Sequence, residues 1–125
     1  MSPPTQTGSA ADFQTALRQY LEAVACQPPG TASYREALTA LNIPPPRSMQ
    51  KLTQALERSM TEDAAAGRAL RAAVIVSGHG TALPRPGFFA HACSLGRYDG
   101  PEEGDEAARF HARELAALRA ELGVA

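Results

Sequence analysis

Three consecutive prolines, Pro44-Pro45-Pro46, constrain the first half of this chain more than any other feature. A proline ring removes a backbone donor and drives the residue before it out of the α region, so no helix runs through this point. On the N-terminal side, Ser33-Tyr34-Arg35-Glu36 has the S-x-x-E form of a capping box, in which the serine hydroxyl and the glutamate carboxylate each accept from the other's backbone amide. Tyr34, Ala37, Leu38 and Leu41 follow on one face. Asn42 suits the left-handed residue that closes a helix, so the pattern predicts a short helix of about 8 to 10 residues. On the C-terminal side Pro46 suits the first turn of a longer helix. Met49, Leu52, Leu56 and Met60 recur there at i, i+3, i+7 and i+11, and Gly67 is a stop signal, giving a helix of roughly 20 residues. Its outer face carries Arg47, Gln50, Lys51, Gln54 and Arg58.

The flanking patterns are equally regular. Residues 1–8 are rich in proline, threonine and serine without periodicity, which predicts a flexible arm ahead of a single domain over 9–125. Ser9 is placed to cap a first helix with Asp12 at its N3 position. Phe13, Ala16, Leu17, Tyr20, Leu21 and Val24 draw its apolar stripe up to Pro28-Pro29-Gly30. After Gly67 the period changes, because residues 70–77 hold the β-branched run Val74-Ile75-Val76 and read as a buried strand. The glycine-rich stretch 78–87 is a loop that returns as a second strand around 81–83, giving one short hairpin or wing. Phe88-Phe89 opens a helix that ends at Gly96. After Pro101 a last helix presents Ala107, Phe110, Leu115, Leu118 and Leu122. The expected fold class is α+β, mostly helical, with about five helices and one short β-hairpin.

Composition narrows the function classes. Of 125 residues 44% are hydrophobic, enough for one core without staples. Cys26 and Cys93 match neither a disulfide framework nor a paired-ligand zinc motif, which points to a reducing cytoplasm. No basic leader and no long apolar run marks export or membrane insertion. Abundant alanine, eleven arginines against one lysine and no tryptophan fit a high-GC bacterial genome. The formal charge is −1, unevenly spread: residues 1–98 hold nine basic and six acidic residues, and 99–125 hold three and seven.

The order of helix, short helix, stiff turn, basic-faced helix, strand and glycine-rich loop over residues 9–83 is similar to a winged helix-turn-helix. The resemblance implies that the helix from Pro46 lies in a DNA major groove. Arg47, Lys51 and Arg58 would meet phosphates or guanines there, and Gln50 and Gln54 would read adenine edges. It places His79 and Arg85 where a wing meets the backbone, and implies double-stranded DNA as partner and a homodimer through the C-terminal helix. That helix has the alternative of packing on the first helix of its own chain. The stretch Leu83-Pro84-Arg85-Pro86-Gly87-Phe88-Phe89 resembles a segment of small bacterial domains without established activity.

Adjacent rings on a helix point about 100° apart, so one of Phe88 and Phe89 is expected in the core, and the other either packs there too or is exposed as a contact for a partner or ligand. This supports the competing reading, a protein-interaction module with a winged-helix shape that does not bind DNA. Chemistry is not expected. Ser77-Gly78-His79-Gly80 is not a nucleophile elbow, and His91 and Cys93 lie about 200° apart on a helix and do not chelate together. The reading is a non-enzymatic domain with no catalytic residues, metal or cofactor.

Overall fold

A computed structural model describes residues 10–77 and 83–124. Among them are five α-helices and two short strands: α1 (Ala10–Ala25), β1 (Ala32–Ser33), α2 (Tyr34–Ala40), α3 (Ser48–Ala66), β2 (Ile75–Val76), α4 (Pro86–Ser94) and α5 (Asp105–Leu122). The fold is mostly helical, and no helix among the described residues is long and apolar enough to cross a membrane.

Local signals set most boundaries. The capping box closes as expected: the Glu36 amide donates to Ser33 Oγ at 3.0 Å, and the Ser33 amide to Glu36 Oε1 at 2.8 Å. Asn42 takes a left-handed φ of 57° just past α2, and Gly67 ends α3 at φ 71°. Pro46 lies outside α3, which starts two residues later with Arg47 as its N-cap, at a φ of 56°. Ser9 and the arm before it lie outside the described residues.

The expected strand over 70–77 is mostly something else. Arg71–Val74 form a 3-10 turn, and only Ile75–Val76 are extended. Their partner among the described residues is β1, with Ala32 opposite Ile75 and Ser33 opposite Val76 in parallel. Of the expected second strand, residues 81 and 82 lie outside the described residues. Leu83 is not in a strand, although its carbonyl accepts from the Ser77 amide at 2.8 Å. Among the described residues the strand pairing is therefore the parallel one between β1 and β2.

The stretch from Ala69 to Val76 runs through the centre of the molecule, and every residue in it is buried. Its 3-10 turn packs against α1, α3 and α5. Ala69, Ala72 and Ala73 are small enough for three helices to approach the same backbone. Leu70, Val74 and Ile75 supply apolar bulk against Leu17 and Leu21 of α1, Leu52 and Met60 of α3 and Leu118 of α5. Full burial of each such side chain is worth about 1.5–3 kcal/mol. The apolar side of α5 is used inside its own chain. Phe110 and Leu118 are buried, and Leu115 and Leu122 are half-buried against the same core.

Non-helical backbone in a core must find partners for its amides. Here helix carboxylates provide them. The Ala69 amide donates to Glu121 Oε2 at 2.6 Å, that of Leu70 to Glu114 Oε1 at 2.9 Å and that of Arg71 to Asp63 Oδ2 at 2.9 Å. The Arg71 side chain, 6% exposed, reaches Glu22 of α1 at 2.6 Å, Glu121 of α5 at 3.2 Å and Asp63 of α3 at 3.7 Å. Arg68 closes on Asp63 at 3.0 Å, and Arg97 spans Glu114 and the Arg68 carbonyl. Burial disfavours the Arg71 charge, but the Glu22 hydrogen bond and the charges of Asp63, Glu22 and Glu121 outweigh it and hold the guanidinium above its ordinary range.

Arg71→Leu takes the guanidinium from buried Asp63, which keeps Arg68, and from the partly exposed Glu22 and Glu121, and is expected to cost about 3 kcal/mol, read from urea unfolding midpoints. Arg58→Ala, which breaks the exposed Arg58–Glu62 pair, is expected to change stability by less than about 1 kcal/mol.

Candidate functional site

The core holds α3 by Leu52, Ala55, Leu56, Ser59, Met60 and Asp63, which fixes what its other side presents. Arg47, Lys51, Gln54 and Arg58 fall at i, i+4, i+7 and i+11 and are all exposed. At 1.5 Å per residue they form one line about 16 Å long, with exposed Gln50 beside it. Arg47 stands at the helix entrance, where its carbonyl accepts the Lys51 amide at 3.0 Å. Lys51 Nζ donates to the Pro44 carbonyl at 3.2 Å, which fastens the proline turn to α3 and leaves two of the ammonium's three protons to solvent. Arg58 meets Glu62 at 3.5 Å, both side chains at least half exposed.

Arg85 is exposed but does not extend this line. Its guanidinium lies 4.7 Å from the centre of the Tyr34 ring, and its amide donates to the Tyr34 hydroxyl at 2.9 Å. It borders a small pocket with Thr53 and Glu57, on the other flank of α3. Burial raises the Tyr34 hydroxyl above the usual tyrosine range against the opposing pull of Arg85, so it remains a neutral phenol. His79 lies outside the described residues.

Phe88 and Phe89 are both buried, which corrects the alternative that one of them projects into solvent. The reason is that α4 is covered on two sides. Phe88 lines the pocket beside Leu56 and Met60 of α3, and Phe89 packs 5.8 Å from Tyr98 and 6.3 Å from Phe110 of α5. The two rings meet edge to face at 5.1 Å, and Tyr98 stacks on Phe110 at 4.6 Å. Neither phenylalanine is an exposed partner contact.

The chemically capable side chains are dispersed. Cys26 and Cys93 are exposed free thiols, and the Cys93 thiol lies 3.9 Å from the Gly100 carbonyl. Ser77 is half-buried. His91 Nε2 and Thr61 Oγ1 are 3.0 Å apart, joining α4 to α3. His111 is buried, with Nε2 2.7 Å from the Ala73 carbonyl and its ring edge-on to Phe88. Among the described residues no group of three or more His, Cys, Asp or Glu is placed to hold a metal ion.

The sequence reading missed one feature beside α3, a groove walled by α1 and by the turn between α2 and α3. Its apolar residues Phe13, Leu41 and Ile43 come from separate segments, so no single periodic stripe announces it. Comparisons with protein-family models, with curated proteins and with solved structures find no match to this chain.

His111 generates a pH prediction. Burial lowers its pKa below the ordinary histidine value of 6.5, and the Ala73 hydrogen bond only partly offsets this. The neutral ring donates to that carbonyl, and the unfolded chain takes up a proton first as pH falls. The stabilisation is therefore complete above 6.5 and declines below it. Between about pH 7.5 and 5.5, above the ordinary carboxylate range, the urea midpoint should fall for the native chain and fall less for His111→Gln. Equal falls would count against the assignment.

Proposed function

We propose that this chain is a non-enzymatic nucleic-acid-binding domain that presents α3 to the major groove of double-stranded DNA. The single observation that carries this reading is the exposed line of Arg47, Lys51, Gln54 and Arg58 on the one side of α3 that the core leaves free. Long donors at this spacing suit phosphates and base edges: arginine and lysine pair with phosphate or with guanine O6 and N7, and Gln50 and Gln54 have the paired donor and acceptor that adenine matches. A regulatory role follows naturally from a small binding domain of this kind.

The arrangement of α2, turn and α3 supports a winged-helix-like reading, with two departures: the strands among the described residues pair in parallel, and the turn is long. Seven residues, 41–47, separate the two helices, against the three or four of an ordinary helix-turn-helix. Arg85, on the Glu57 flank, takes a secondary place in this scheme. The interaction reading built on Phe88, Phe89 and the last helix is less well supported, because both rings and most of the apolar side of α5 are covered within the chain.

The test is fluorescence anisotropy with a labelled random-sequence duplex. Three phosphate contacts give a slope of log affinity against log salt of about −2.7, and Lys51→Glu should weaken binding and flatten the slope by about 1. Absence of binding at about 25 mM salt, or binding insensitive to salt, would overturn the proposal.

A further inference from the structure

The groove beside α3 has a volume of about 530 Å³. Its large apolar side chains are Phe13 of α1 with Leu41 and Ile43 of the turn after α2, all three left only half-buried. Its α3 wall is Lys51, Gln54 and Arg58, and the lining holds two cations and no carboxylate. Both ends are pinned. Gln14 Nε2 donates to the Ala55 carbonyl at 3.2 Å, tying α1 to α3, and Lys51 ties the proline turn to the same helix. The groove is therefore framed by contacts of the fold itself.

We infer that this groove binds an acidic amphipathic helix of a partner protein. Apolar side chains one and two turns apart on such a helix seat on Phe13, Leu41 and Ile43, and carboxylates beside them meet Lys51 and Arg58. Charge complementarity selects the occupant: Arg58 shares its charge with Glu62, but Lys51 meets only the Pro44 carbonyl, so a basic or neutral helix gains the apolar contacts and leaves the Lys51 ammonium without counter-charge, whereas the sugar-phosphate backbone of DNA offers nothing to the three apolar residues. The inference rests on the apolar residues and holds whether or not α3 binds nucleic acid. Because Lys51 and Arg58 belong to both surfaces, the two partners exclude each other.

The probe is a fluorescein-labelled helical peptide of about 14 residues with leucine at i, i+4, i+7 and i+11 and flanking glutamates, compared with the same peptide carrying lysine for glutamate. The acidic peptide should bind at least about tenfold more tightly than the basic one. In the native protein it should shift the backbone amide resonances of Phe13, Leu41 and Ile43. Ile43→Ser should weaken peptide binding by about tenfold while leaving duplex affinity within about twofold, and Lys51→Glu should weaken both. No binding of the acidic peptide up to about 1 mM, equal binding of the two peptides, or resonance shifts confined to another face would overturn the inference. Peptide binding without duplex binding would sink only the nucleic-acid reading, and the reverse would sink only this one.

Discussion

The buried guanidinium of Arg71 sits where three helices and a non-helical segment meet, and the positions of those helices depend on how its charge is answered. Glu22 comes from α1, Asp63 from α3 and Glu121 from α5, so one side chain references all three. The same carboxylates serve the backbone: Asp63 and Glu121, with Glu114, take the amides of Arg71, Ala69 and Leu70. A segment that lacks helical or full sheet pairing would otherwise bury those donors unpaired. Among the described residues no buried side-chain nitrogen or oxygen lacks a partner. A fully satisfied ionic cluster of this kind adds little net stability over an apolar replacement, yet it is costly to break in part. Its contribution here is geometric, since one side chain ties α1, α3 and α5 to a common point.

That arrangement determines the free surface. With Leu52, Leu56, Met60 and Asp63 turned to the centre, α3 turns Arg47, Lys51, Gln54 and Arg58 outward. One flank is closed by α4 through Phe88 and the Arg85–Tyr34 stack. The other stays open, because α1 contributes Phe13 where the proline turn contributes Leu41 and Ile43, and the three do not fill the space between them. A chain with a net charge of −1 thus has a local cationic ridge beside an apolar groove. Among the described residues no ion pair joins the acidic residues of 99–106 to that ridge.

Features set by local rules were legible in the sequence. The stripe of α1, the Ser33–Glu36 box, the left-handed Asn42 and the Gly67 stop each follow from one residue's conformational preference or one helical period. The spacing that aligns Arg47, Lys51, Gln54 and Arg58 is of the same kind. Features made by tertiary contact were not. Two residues, Ala32 and Ser33, carry no strand period, so a parallel partner for Ile75–Val76 left no trace. Both Phe88 and Phe89 are buried because α4 has neighbours on two sides, which a single-helix argument does not anticipate. The ionic cluster did leave a signal that went unread. Asp63 follows Met60 by three, Glu114 lies four from both Phe110 and Leu118, and Arg71 interrupts an apolar run, so charges of both signs occupy core positions.

The claim on which the rest stands is that helix carboxylates capture the amides of the central segment, and native-state hydrogen exchange tests it at single residues. The amides of Ala69, Leu70 and Arg71 should exchange only through global unfolding, as slowly as those in the middle of α3. Exchange of these three at the rate of helix ends would mean that the segment opens independently, and would contradict the account of how α1, α3 and α5 are held in place.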